Sequence, residues 1–93
     1  MSNLIKRNIL EENNMIERRD VKPGFSFVIR EWGIVNNYRV LTEDEISLTL
    51  GTDYLRWIKR KPGFVACRNT RTNLTEAKDL DIICREGTAD TTN

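Results

Sequence analysis

The chain has no histidine. That absence removes Ser-His and Cys-His nucleophile pairs and the usual general base near neutral pH. With only two cysteines, Cys67 and Cys84, separated by 16 residues, a four-ligand zinc site within one chain is not expected. No paired acids stand in a setting suited to carboxylate-only catalysis. The expectation is a protein that is not an enzyme and uses no cofactor. Long apolar runs are also missing: nothing approaches the roughly 20 residues of a membrane helix. The start, MSNLIKRNILEENN, has no apolar stretch of signal-peptide length. A cytoplasmic location, no membrane partner and reduced thiols are expected.

What is present fits a folded chain. The 93 residues are 39% hydrophobic and 31% charged, which places them with globular rather than disordered sequences. That length suits one domain with a modest core, over residues 1–87, followed by a disordered polar tail over 88–93. Residues 4–19 read as a helix, with Ile5, Ile9 and Ile16 on one face, which makes 1–20 an N-terminal helical segment. Residues 22–41 read as strand-rich: FSFVIRE and IVNNYRVL alternate and are β-branched and aromatic, with a break at Trp32 and Gly33. Asn36 and Asn37 offer an alternative turn. The tetrapeptide KPGF occurs at 22–25 and again at 61–64, and in each place Pro-Gly predicts a type II turn feeding a strand. Residues 64–74 read as strand, turn and strand. Residues 75–87 read as a short helix with Thr75 as N-cap, Gly87 as stop, and Leu80, Ile83 and Cys84 on its apolar face. Trp32, Tyr38 and Trp57 are expected in the core.

Residues 42–60 support two structures. The alternation in ISLTL, with a GTD loop after it, suits a hairpin and would make the protein a mostly-β barrel or sheet. The ends favour helices. The run TEDE at 42–45 is a capping box with three acids in the first turn, and Gly51 is a C-terminal stop. A second helix then puts Lys59, Arg60 and Lys61 in its last turn, before Pro62 and Gly63. The helix pair is preferred, giving a small α+β domain.

The order LTEDEIS, LG, LRWIKRKPGF, VACRNTRTNL and TEAKDLDII resembles the winged helix-turn-helix of phage excisionases and mercury-resistance-type regulators, over about half the chain. The resemblance implies that residues 42–87 form a winged helix-turn-helix, with the N-terminal helix and β-hairpin as an extension. Ser47 would lie where the helices cross, Gly51 in the turn, Trp57 as a core anchor, and residues 68–71 in the wing.

Charge distribution points the same way. Residues 54–74 contain no acid and carry Arg56, Lys59, Arg60, Lys61, Arg68 and Arg71; the remainder has nine basic and fourteen acidic residues. Cations interspersed with hydroxyls and amides suit phosphate contact. The candidate DNA contacts are Thr52, Arg56, Lys59, Arg60 and Lys61 on or beside the second helix, and Arg68, Thr70 and Arg71 in the wing. The expected function is a phage-type DNA-binding transcription regulator or recombination accessory factor, compatible with a homodimer. A protein-binding inhibitor module is the alternative. An RNA-binding β domain, stacking bases on Phe25, Phe27 and Phe64, is a third.

Overall fold

The computed structural model describes residues 15–90. After a 3-10 turn at Arg18–Asp20 come β1 (Ser26–Glu31), β2 (Ile34–Val40), α1 (Glu43–Leu50), α2 (Thr52–Lys59), β3 (Phe64–Asn69), β4 (Leu74–Asp79), α3 (Leu80–Glu86) and β5 (Gly87–Ala89). The strands form one open antiparallel sheet in the order β4-β3-β2-β1-β5. The domain is α+β, and no described helix is long and apolar enough to cross a membrane.

Residues 42–60 form helices, so the hairpin reading of this stretch is corrected. The capping box closes as its sequence requires: Glu45 N–H donates to Thr42 Oγ1 at 3.1 Å, and Thr42 N–H donates to Glu45 Oε1 at 3.0 Å. Two orphan amides are thereby satisfied at the point where three acids meet the helix dipole. Gly51 ends α1 at φ 97° and ψ 161°, donating to the Ile46 and Ser47 carbonyls, and α2 starts at the next residue. That backbone region belongs almost wholly to glycine.

The β1–β2 hairpin closes through Trp32 and Gly33, both at positive φ (54° and 76°), as a two-residue primed turn requires. Asn36 and Asn37 lie within β2 and make no turn. The first KPGF turns with Gly24 at φ 91°, fitting type II, and Phe25 N–H bonds the Lys22 carbonyl. The second turns between Lys61 and Phe64 without a positive φ at Gly63, so it is not type II.

Three expectations are corrected near the ends of the chain. Of the helix over 4–19, residues 4–14 lie outside the described residues, and the rest makes only the single 3-10 turn. Residues 75–79 belong to strand β4, paired with β3 from Arg68↔Thr75 to Phe64↔Asp79. The helix begins only at Leu80, and its N-cap is Asp79, whose carboxylate accepts from Asp81 N–H at 2.8 Å, not Thr75. Gly87 does end α3, but residues 87–89 then pair with β1 as β5.

Alternation along the strands sorts the core onto two faces. One face carries Phe27, Ile29, Tyr38, Val40 and Cys67, covered by Ile83 of α3 together with Ile16 and Val21. On the other, Ile46 and Ile58 of the helix pair pack on Leu41 and Ala66, with Tyr54, Leu55 and Ala77 around them. These helices cover the β3–β4 side of their face. Arg30 and Val35, further along β1 and β2 on that face, remain exposed, and Val28, Asn37 and Arg68 are half-buried.

Gly87 sits where α3 runs into β5. A Cβ there would lie 2.6 Å from the Ile83 carbonyl oxygen and 3.0 Å from Ile16 Cδ1. Gly87→Ala is expected to destabilise the fold by about 1–2 kcal/mol, because the nearest atom is backbone and cannot swing aside. Urea denaturation of the variant against wild type measures it.

Candidate nucleic-acid interface

The α2 helix is anchored by Ile58, which is buried, while Tyr54 and Leu55 are half-buried beside it. The rest of the helix faces solvent. Thr52, Arg56, Lys59 and Arg60 are exposed, and Lys61 follows in the turn, also exposed. Trp57 is 46% exposed, so it is not the core anchor expected of it. The inward stripe of α2 is Tyr54, Leu55 and Ile58, and Trp57 falls at its edge. Its ring lies 5.3 Å from that of Tyr54 and beneath the Lys61 ammonium, which is 5.6 Å from the ring centroid. Burial pushes the Tyr54 hydroxyl above its ordinary pKa.

The acids near this surface are few and solvated. Arg56 lies 3.5 Å from Asp53 one turn back, and Lys59 lies 3.4 Å from Glu43 of α1; every member of these pairs is more than half exposed. Such pairs contribute little and exchange readily for another anion. Among the described residues the Arg60 guanidinium has no ion-pair partner, and neither has the Lys61 ammonium, which lies over the Trp57 ring.

The eight candidate residues separate into two groups. Thr52, Arg56, Lys59, Arg60 and Lys61 share α2 and its C-terminal turn. Arg68 lies half-buried on β3, on the same face as the helices, opposite Arg39 and Thr75. Thr70 is at the β3–β4 turn and donates its hydroxyl to the Asn37 carbonyl at 3.2 Å. Arg71 is drawn towards the other face, where its Nε donates to Asn36 Oδ1 at 2.9 Å.

Sequence reasoning missed Arg39. It donates to both oxygens of Glu45, at 3.0 and 2.6 Å, joining the sheet to the cap of α1. The Arg39 guanidinium and the Thr42 amide hold the Glu45 carboxyl down at about 2, below its usual 4.5. Also missed was a polar layer on the α3 face. Glu31 Oε1 accepts from the Tyr38 hydroxyl at 2.9 Å and from Asn36 Nδ2 at 3.3 Å. Asn69 Nδ2 donates to Asn36 Oδ1 at 3.2 Å. Lys78, only 13% exposed in its side chain, sits 3.2 Å from Glu76 and 4.6 Å from the Tyr38 ring centroid. Burial alone would lower the Lys78 ammonium, but its bonds to Tyr38 and Glu76 prevail and raise it. The members satisfy one another, as a clamp between two hairpins does. Beneath them burial pushes the Cys67 thiol up to about 12, which makes it a packing residue rather than a nucleophile.

A cleft of about 190 Å³ opens between the first KPGF turn, α1, α2 and the start of β3. Its lining is mainly apolar, with Val21, Pro23, Leu55 and Phe64 among the residues and Lys22, Glu43 and Lys59 beside them. Among the described residues no group of three or more His, Cys, Asp or Glu side chains could hold a metal ion. Comparison of the chain with protein-family models, with curated proteins and with solved structures returns no match.

Proposed function

We propose that this protein binds duplex DNA, with α1 and α2 acting as a helix-turn-helix, α2 lying in the major groove, and the β3–β4 hairpin serving as wing. One observation carries the reading. The solvent side of α2 and its last turn hold Arg56, Arg60 and Lys61, and among the described residues only Arg56 pairs with a carboxylate, the exposed Asp53 at 3.5 Å. Arg56 and Arg60 stand one turn apart, at the spacing of neighbours on one helical face. Guanidinium forks in that position reach guanine edges or phosphates, while Lys59 and Lys61 add charge against the backbone. The sequence resemblance to phage excisionases and mercury-resistance-type regulators supports the reading. A transcription regulator or recombination accessory factor of phage type is the role this reading implies.

Electrophoretic mobility shift on duplex DNA tests it. Binding should weaken with salt at a log-log slope near about −3.6 if four phosphates are neutralised. The triple substitution Arg56→Ala, Arg60→Ala and Lys61→Ala should reduce affinity by at least about tenfold. It should leave thermal stability nearly unchanged, since all three side chains are exposed. No shift of any duplex at low salt would sink the idea.

The alternative of a protein-binding module draws on a different observation. Trp32 is 98% exposed at the tip of the β1–β2 hairpin, with Ile34 and Val35 exposed beside it. A stoichiometric partner captured from nuclease-treated lysate, and lost on Trp32→Ala, would favour that reading. The RNA-stacking alternative loses its platform. Phe27 is wholly buried, Phe25 packs against the same core, and Phe64 lies on the opposite face.

A further inference from the structure

Arg68 is in an unusual position for a cation. Its Nε is buried and has no hydrogen-bond partner. The register sets it directly opposite Arg39 on β2 and Thr75 on β4, on the face that the helix pair leaves partly open. Two arginines facing one another across a sheet repel. Arg39 is relieved by Glu45, whose two oxygens take both of its terminal nitrogens. Among the described residues no carboxylate pairs with Arg68. A buried donor without an acceptor costs stability, and native structures rarely keep one without another use. From the geometry we infer that Arg68, with Thr75 opposite it on β4, is a phosphate-binding site on the floor of the sheet. The occupant is a phosphate group, and in the DNA-binding reading on which this rests it is a backbone phosphate of the duplex held against α2. A guanidinium fork suits two phosphate oxygens, and Thr75 adds a donor from the next strand.

The test uses the full chain and two variants, Arg68→Met and Arg68→Lys. Melting is measured in inorganic phosphate and in chloride at equal ionic strength, and duplex affinity by mobility shift. Wild type should melt higher in phosphate than in chloride. Arg68→Met should melt no lower than wild type in chloride, since an unsatisfied donor and a repulsion are removed. It should lose the phosphate gain and bind duplex about tenfold more weakly, with a salt slope smaller by about one. Arg68→Lys keeps charge without the planar fork and should lose most of the phosphate gain. If Arg68→Met fails to fold, this second variant alone decides. An equal response to phosphate in wild type and variant overturns the site. So does a wild type indifferent to phosphate. A phosphate gain that depends on Arg68, in a protein that binds no duplex, upholds the site for free phosphate and removes the DNA reading instead.

Discussion

Phe27→Ala is expected to lower the melting temperature by about 20 °C, the largest effect of any single substitution considered for this chain. Phe27 is 0% exposed, on β1 between β2 and β5. Its ring stacks at 5.3 Å from that of Tyr38 and 6.1 Å from that of Phe25, and it packs in one cluster with Ile29, Val40, Cys67 and Ile83. Truncation leaves a void walled by two strands and a helix, which the hydrogen-bonded ladder keeps from collapsing. Losses for buried phenylalanine run at about 3–5 kcal/mol. A domain of this size has about 5–10 kcal/mol in total, so about a third or more of its stability would go. Phe27→Leu, which refills most of the space, should cost about 1–2 kcal/mol. Thermal unfolding followed by circular dichroism separates the two. Equal small losses would show that the ring is not the centre of this core.

What could be read from the sequence was mostly local. The capping box at Thr42 and Glu45 and the stop at Gly51 act within four residues of themselves, and both close as their residues dictate. The β1–β2 hairpin was legible for the same reason, through alternation and the break at Trp32 and Gly33. Where tertiary pairing overrides propensity, the sequence misled. TEAKD at 75–79 is good helix material, yet those residues are a strand because β3 offers a full ladder alongside them. Asp79 then becomes the cap that Thr75 was expected to be. Trp57, expected as a core anchor, falls at the edge of the inward stripe, because Tyr54, Leu55 and Ile58 fit a helical face as well as Tyr54, Trp57 and Ile58 do. In the candidate interface, charge spacing grouped Arg56, Lys59, Arg60 and Lys61, which lie on α2 and its C-terminal turn. It could not separate Arg68 from Arg71, which lie three residues apart and are directed to different faces by the β3–β4 turn. Arg39 lay outside the acid-free span, and only the β2–β3 register brings it opposite Arg68.

Glu45→Ala is expected to cost about 2–3 kcal/mol at neutral pH, and the loss should largely vanish in acid. One side chain serves two structures: it accepts from Thr42 N–H to close the cap of α1, and it takes both arms of Arg39. Removing it opens the cap, which is worth about 1 kcal/mol, and strands a guanidinium whose side chain is only 33% exposed. Because the carboxylate is 32% exposed, solvent screening keeps the ion pair to the remaining 1–2 kcal/mol, about the value of a good bidentate surface pair. The direction with pH follows from the carboxyl being held at about 2 rather than 4.5. The folded state favours the ionised form, so the contribution is complete above the unfolded value and fades as pH falls from about 4.5 towards 2. Urea denaturation at neutral pH and near pH 3 should therefore show a wide gap between wild type and variant that narrows in acid. Glu45→Gln sharpens the test, since its amide oxygen can still accept from Thr42 but carries no charge for Arg39. It should recover the capping part of the loss and retain a weaker acid dependence than wild type. A gap between wild type and Glu45→Gln that stays constant across this range would mean that the carboxylate contributes through shape and not through its pairing with Arg39. In that case Arg39 would be as available to an incoming anion as Arg68.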